Sequence, residues 1–342
     1  MRLLHIIAGG EHGGAERFFV DLTTALSARG YEQHAVSRLY SDRSQSLIEA
    51  GCGVTVARMG GPLDMLSGWR AARAARNFGP DILLAWMNRA AALAPRGPWR
   101  MIGRLGGYYN LKYYAKCDHL ICNTPDLVQH CIRNGWAEDR VDYIPNFSPR
   151  IENVEPVQRA SVATPENVPV LLILARLEES KAIDVAIAAL AELPEVYLWV
   201  AGEGSCEHAL KSKAMSLGVS DRVKFLGWRQ DREALLAAAD ICLVPSRHEP
   251  FGNVVVNAWA SGTPLVAAES QGPRYLITDQ VNGLLVPVDN SSAMSVAVRR
   301  VLSDKDLAKT LVLGGQDAVN DRFSENVVIS AYCRLFERLS SS

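Results

Sequence analysis

Short apolar runs alternate with helical stretches along this chain, twice over, and that alternation restricts the fold more than any other feature. Leu3–Ala8, Val54–Ala57, Ile82–Trp86, Met101–Leu105 and His119–Asn123 read as buried strands, with helices between several of them. Phe18, Leu22 and Leu26 mark one helical face, which Gly30 ends as a C-terminal cap. Thr124-Pro125 starts another helix, with Thr as N-cap and Pro at the first helical position. Between Asn146 and Pro169 the pattern lapses, broken by Pro149, Pro156, Pro165 and Pro169. A second series follows: strands at Val170–Ala175, Val196–Ala201, Val223–Leu226, Ile241–Val244, Leu265–Ala268 and Leu284–Val286, separated by helices and ending in C-terminal helices. Alternation of this kind builds parallel sheets covered by helices on both faces. The expected fold is α/β: two doubly wound, Rossmann-like domains facing across a cleft, with ligands at the carboxyl ends of the strands. The boundaries read as a first domain over 1–148, a linker over 149–168, a second domain over 169–325 and a final amphipathic helix within 326–342.

Composition removes other classes. A chain of 342 residues predicts about two domains, and 26 glycines and 16 prolines are ordinary frequencies that exclude collagen-like and low-complexity chains. Apolar runs such as Val170–Ala175 are far shorter than the roughly 18 residues of a membrane span. The N-terminus runs directly into a strand and glycines, without the cleavage site of a signal peptide. Seven cysteines with no Cys-x-x-Cys point to a reducing compartment and away from zinc. The expectation is a soluble cytoplasmic protein.

The formal charge of −1 hides an asymmetry. Residues 1–147 hold 17 basic and 13 acidic side chains, and residues 148–342 hold 19 and 24. Arg89, Arg96, Arg100, Arg104, Lys112 and Lys116 fall in one stretch that has no acid and interleaves Trp99, Tyr108, Tyr109, Tyr113 and Tyr114. Such a stretch suits an anionic partner or the inner face of a membrane. A solvated basic surface over core aromatics is the alternative. Nucleic acid is disfavoured, because the domain is not strongly basic and holds no recognised binding module.

Three segments carry chemistry. Gly9-Gly10-Glu11-His12-Gly13-Gly14-Ala15-Glu16 joins the first strand to the first helix, where glycines and a helix N-terminus suit an anion. Its spacing is not the dinucleotide Gly-x-Gly-x-x-Gly, and a plain tight turn is the competing reading. Arg176 and Lys181 flank the loop after the second domain's first strand, placed for a diphosphate unless they are merely solvated. Pro245 to Pro264 presents Glu249 on a loop, opens a helix near Gly252 and sets Asn257 one turn inside it. Alone, Glu249 reads equally as an electrostatic helix cap.

Together these segments resemble the retaining GT-B glycosyltransferases of family four, the group 1 glycosyl transferases. The Glu249 segment looks like that family's Glu-x7-Glu signature. Agreement extends to Gly13-Gly14-Ala15-Glu16, Arg176 to Lys181, Ala201-Gly202-Glu203-Gly204, Gly262-Thr263-Pro264-Leu265-Val266, and Asn282-Gly283-Leu284-Leu285-Val286 with Asp289. Trp86-Met87-Asn88-Arg89 through Arg104-Leu105-Gly106-Gly107-Tyr108-Tyr109 is similar to bacterial enzymes of lipopolysaccharide core assembly.

The resemblance implies roles. Glu249 hydrogen-bonds the transferred sugar, while Arg176 and Lys181 neutralise the leaving diphosphate. Gly13, Gly14, Gly202, Ser246, Phe251, Gly252, Asn253 and Val254 complete the donor site, with Asn257 at the ribose. His12, Asn88, Arg89, Arg104 and Tyr108 serve the acceptor. It also implies a last helix that crosses back to the first domain, no metal, and no cofactor beyond the sugar nucleotide. Attack on the front face, assisted by the leaving phosphate, retains configuration and needs no glycosidase-like carboxylate pair.

Two departures stand out. The second Glu of the signature is Asn257, which hydrogen-bonds but carries no charge. Gly106-Gly107 occupies the place where many relatives carry a donor-facing histidine, and neither His12 nor Asn88 matches that position. The one Asp-x-Asp, Asp304-Lys305-Asp306, reads as a helix cap, and His119 as structural. The function expected is hexose transfer from a nucleotide diphosphate sugar, UDP-sugar favoured, to a glycan or glycolipid acceptor. The alternatives are a nucleotide-sugar-binding protein without catalysis and a sugar-nucleotide epimerase on the same fold.

Overall fold

In a computed structural model of the chain, which describes residues 1–11, 13–60, 64–149 and 154–340, the two strand–helix series form two separate parallel sheets. Residues 1–147 with 325–342 make one compact unit, and residues 148–324 make the other. The first sheet contains β1 (Arg2–Ile7), β2 (Glu32–Ser37), β3 (Gly53–Val56), β4 (Ile82–Trp86), β5 (Arg100–Leu105), β6 (His119–Cys122) and β7 (Val141–Tyr143), in the order β3-β2-β1-β4-β5-β6-β7. The second contains β8 (Val170–Leu174), β9 (Tyr197–Ala201), β10 (Val223–Gly227), β11 (Ile241–Val244), β12 (Leu265–Ala268) and β13 (Leu284–Val286), in the order β10-β9-β8-β11-β12-β13. Both are doubly wound. Strand order reverses between β1 and β4 and again between β8 and β11, and at such a switch point the loops diverge and leave a crevice beyond the strand ends.

Two strands were not legible. In β2, Glu-Gln-His-Ala-Val-Ser shows no apolar run, yet Gln33 and Ser37 are buried. The Gln33 amide donates to the Thr23 carbonyl and the Ser27 hydroxyl, both at 2.7 Å, so a polar side chain is accepted in a covered position. β7 has only three residues, too few for a period to register.

β1 carries a buried histidine. Trp86 Nε1, which can only donate, lies 3.4 Å from His5 Nδ1, so the ring proton sits on Nε2 and is donated to Gln33 Oε1 at 3.0 Å. A second ring proton would meet the indole N–H head-on. Burial lowers the His5 pKa from 6.5 to about 4, against a smaller upward pull from Gln33. The unfolded chain therefore takes up a proton below pH 6.5 that the folded chain refuses until about pH 4. Stability is complete above that window and falls by about 3 kcal/mol across it as pH drops. Urea unfolding at stepped pH reads this slope, and His5→Gln should remove that share of it. A slope unchanged by the substitution refutes the assignment.

The last helix, Glu325–Ser340, packs on the first unit with Val328, Ile329, Tyr332, Leu335 and Phe336 buried. His119 lies beneath it, buried, with Nε2 2.5 Å from Asp142 Oδ2, and Arg338 of the helix also donates to that carboxylate. Its role is structural. The proline-rich stretch read as a linker is, over its described residues, a strap on the second unit. Arg159 there binds the carbonyls of Val168 and Ala238 and the Asp240 carboxylate. Thr164 accepts the buried Trp199 indole N–H at 2.9 Å. Asp304 Oδ1 accepts from Leu307 N at 2.9 Å, so the Asp-x-Asp is a helix cap.

Candidate active site

In the second unit, the loops after β8 and β11 flank the switch point and carry the residues singled out in the sequence. Lys181 closes a short 3-10 turn, Glu179–Lys181, ahead of the helix Ile183–Ala191. Glu249 follows β11 and precedes the helix Asn253–Ala260. Lys181 Nζ and Glu249 Oε2 meet at 2.6 Å, with the two side chains only 15% and 17% exposed, and Ser246 Oγ is 3.5 Å from the same carboxylate oxygen. A cation and an anion thus stand side by side at the carboxyl edge of the sheet. Arg176 is turned to Glu178 at 2.6 Å in an exposed pair, where the bond is weak.

The loops themselves are held by residues that the sequence reading did not single out. Arg247 donates both Nη groups to Asp184, at 3.0 and 2.9 Å, a third bond to the Glu179 carbonyl at 2.7 Å, and Nε to Asp289 at 2.6 Å. Burial pushes the Asp184 carboxyl up, but the Arg247 bonds and charge, with Lys213, outweigh it and hold it below the usual range. One guanidinium thereby joins the Lys181 loop, the Glu249 loop and the segment after β13. His248 N adds a bond to the Ser180 carbonyl at 3.2 Å.

Close backbone contact requires glycine at several positions here, Gly202 and Gly272 most tightly. Gly202 follows β9 with φ +150°, and a Cβ there would lie 1.9 Å from the Ala175 carbonyl oxygen. Gly272 opens the unforeseen helix Gln271–Leu276, donates to the Glu249 carbonyl at 2.7 Å, and would place a Cβ 2.1 Å from the Phe251 oxygen. Gly202 was legible through its motif Ala201-Gly202-Glu203-Gly204, whereas Gly272 had no signal beyond its place before Pro273. Gly252 caps the Asn253–Ala260 helix at φ +99°, Phe251 and Asn257 are buried, and Val254 is half-buried.

In the first unit, Gly13 and Gly14 begin the helix Gly14–Ala28. Glu16 folds back under the loop and accepts from Gly10 N at 2.9 Å, in room that a Cβ at Gly9 or Gly13 would fill. Arg43 secures the loop from the other side through the carbonyls of Gly10 and Glu11. Met87, just past β4, is held at φ +66°, a costly conformation for a side-chain-bearing residue that often marks a functional edge. Next to it, Asn88 Oδ1 is buried without a hydrogen-bond partner among the described residues, as is Asn123 Oδ1 after β6. His12 lies outside the described residues.

The basic stretch does not form one surface. Arg104 was expected at the acceptor, but it is 3% exposed, with its guanidinium over the rings of Phe18 and Trp86. It donates to Tyr332 and Asn146, so its charge secures the last helix instead of facing a ligand. Trp99 and Tyr114 are core residues as well. Arg89 donates to the Met59 carbonyl at 2.9 Å, and the exposed Tyr108 donates its hydroxyl to Asp126. Arg96, Arg100 and Lys116 line a groove of about 900 Å³ at the opposite, amino-terminal edge of the strands. Among the described residues no three His, Cys, Asp or Glu side chains gather as metal ligands, and no helix is long and apolar enough to cross a membrane.

Comparison with known proteins extends along nearly the whole chain. Residues 12–148 match the family model "Glycosyltransferase Family 4", and residues 154–316 match "Glycosyl transferases group 1". The chain is 37% identical to the lipopolysaccharide core biosynthesis glycosyltransferase LpsE of Rhizobium meliloti, over 95% of this chain and 96% of that one. It is 36% identical to LpsD of the same organism, over 99% and 98%. Among solved structures, that of HepE from Anabaena in complex with UDP-glucose superposes with a TM-score of 0.84, at 22% identity and covering 99% of this chain and 100% of that one.

Proposed function

This chain belongs to the group 1, family 4 glycosyltransferases, and from that premise we propose that it transfers a hexose from a nucleotide diphosphate sugar to a glycan or glycolipid acceptor with retention of configuration. The two lipopolysaccharide core relatives support an acceptor in lipopolysaccharide core or a related cell-surface polysaccharide. The complex of HepE with UDP-glucose favours a UDP-sugar.

The observation that carries the proposal is the Lys181–Glu249 pair at the β8/β11 switch point. A donor has a negative diphosphate next to a neutral, hydroxyl-rich sugar. An ammonium and a carboxylate in contact match that junction: Lys181 takes the phosphate charge, and Glu249 accepts from sugar hydroxyls. Arg176 joins Lys181 by exchanging its exposed bond to Glu178 for a phosphate. As the glycosidic bond breaks, negative charge grows on the leaving diphosphate, and these cations stabilise it. The acceptor hydroxyl loses its proton to that leaving phosphate. Asn257 addresses the ribose as a neutral partner. On the first unit, the unpaired oxygens of Asn88 and Asn123, at the carboxyl ends of β4 and β6, accept from acceptor hydroxyls. The protein then works in the cytoplasm, at the inner face of the membrane.

The test is a panel of nucleotide diphosphate sugars incubated with truncated core saccharides, with products read by mass spectrometry and the anomeric configuration by NMR. One UDP-hexose should be consumed and one retained linkage formed. Donor binding without hydrolysis or transfer would favour the reading as a binding protein, consistent with the neutral Asn257. Neither binding nor turnover with any donor would sink both readings.

A further inference from the structure

The groove at the amino-terminal edge of the first sheet holds more positive charge than the fold around it uses. Arg96, Arg100, Lys116 and Arg140 line it against two acids, Asp81 and Asp118. Each acid also has a backbone donor: Asp81 accepts from Arg2 N at 2.7 Å, and Asp118 from Met101 N at 2.8 Å. Lys116 Nζ donates to the carbonyls of Ala92 and Ala94, at 2.7 and 3.0 Å, at the end of the helix Met87–Leu93. Arg140 donates to the carbonyls of Asp118 and Cys117, at 2.6 and 2.9 Å. Those bonds fix the walls and leave an ammonium proton and part of a guanidinium fork unused. The Arg96 and Arg100 side chains have no hydrogen bond or ion pair among the described residues. Burial lowers the Lys116 pKa, and the Arg96 charge lowers it further against a pull from Cys117, so the cations stand close enough to repel. The rim is stiff. Arg96 stands in Pro95-Arg96-Gly97-Pro98, the Trp99 indole donates to the Pro95 carbonyl at 3.3 Å, and a Cβ on Gly97 would lie 2.2 Å from the Trp99 ring. The backbone that carries Arg96 therefore has little freedom to lose on binding.

We propose that this groove is a second ligand site, which binds a soluble phosphorylated small molecule with two or more negative charges, such as a sugar bisphosphate. Its volume of about 900 Å³ is that of a small-molecule site. Two unpaired guanidinium groups with spare donors beside them match the oxygens of phosphate groups, and Pro98 and Leu339 supply apolar wall for a carbon skeleton. Position separates it from the candidate active site. Arg100 opens β5, whose other end at Leu105 is about 17 Å away, and Asn88 and Asn123 stand at that other edge. Leu339 and Ser340, in the last turn of the final helix, also line the groove, so an occupant bridges that helix to the sheet edge. The assignment does not rest on the transfer reaction, because its test reads ligand binding without a donor or an acceptor.

The full chain is titrated by calorimetry with fructose 1,6-bisphosphate, inorganic phosphate and fructose. The bisphosphate should bind saturably, phosphate more weakly and fructose not at all, and added salt should weaken the binding. Arg96→Gln with Arg100→Gln should raise the Kd about 25-fold, roughly fivefold for each charge. The unfolding midpoint of that double variant without ligand should stay at the parent's, since neither side chain holds a partner. Lys181→Met should bind the bisphosphate like the parent, which separates the groove from the candidate active site. In hydrogen exchange on the parent, the bisphosphate should slow the amides of 95–101, 115–118 and the last turn of the final helix. No saturable binding, a double variant that binds like the parent, or protection confined to 176–181 and 246–257 would overturn the proposal. So would binding to phosphatidylglycerol vesicles with none to the soluble bisphosphate, because the cations would then serve a surface and not a cavity.

Discussion

Glu249→Gln should lower turnover by about 10²–10³-fold, and Lys181→Met by a similar factor, because in the proposed roles each removes a charge that acts on the transferring group. The two groups touch at 2.6 Å and are largely withdrawn from water. Each therefore also positions the other, and the two losses should not multiply in the double variant. Glutamine keeps the shape and an acceptor oxygen, so its effect isolates the charge. Removing either partner leaves the other underpaired in a mostly covered site, at a cost to folding of about 1–3 kcal/mol. A kinetic double-mutant cycle and thermal unfolding of the same four proteins separate catalysis from stability. Turnover of Glu249→Gln within a few-fold of the parent would dismiss the catalytic role.

Gly202→Ala should destabilise the second unit by at least about 3 kcal/mol and abolish activity with it. The loops after β8 and β9 are pressed backbone to backbone, with Ala175 N donating to the Ala201 carbonyl and Leu177 N to the Glu203 carbonyl, while Gly202 N donates to the Gly227 carbonyl at the end of β10. An alanine methyl would lie 1.9 Å from the Ala175 oxygen, which is main chain and cannot rotate away. The Arg176–Lys181 loop must then move. For a unit of this size the loss corresponds to about 10 °C in its unfolding midpoint. Gly135→Ala is the control: φ is +95° but nothing lies within 4 Å of a Cβ, so only the backbone strain of about 1 kcal/mol applies. Equal shifts for the two variants would show that the close approach contributes nothing.

Much of the fold was legible because parallel strands buried on both faces are continuous apolar runs, and the helices between them carry a period of their own. β8 and β11 are of this kind. β2 was not, because its inward positions are filled by Gln33, Ala35 and Ser37, and only the bonds from Gln33 to Thr23 and Ser27 explain why they are tolerated. The same limit applied around the candidate site. Glu249 and Lys181 stood out by residue type and by their places after strands, but Arg247 and Gly272 did not. An arginine in a loop has no local signature of a clamp, and a glycine before proline reads as a turn.

By itself, the sequence determined the class of fold, the two strand–helix series and the loops in which chemistry could reside, since those follow from periodicity and turn residues close along the chain. Only the tertiary structure decided which side chains meet. Lys181 and Glu249 are 68 residues apart in the chain. They are neighbours because parallel pairing of β8 with β11 brings the two strand ends together. Tertiary packing also took Arg104 out of reach of a ligand while leaving Arg96 exposed. Burial depends on which face of an element the rest of the chain covers, and no local run of residues contains that information.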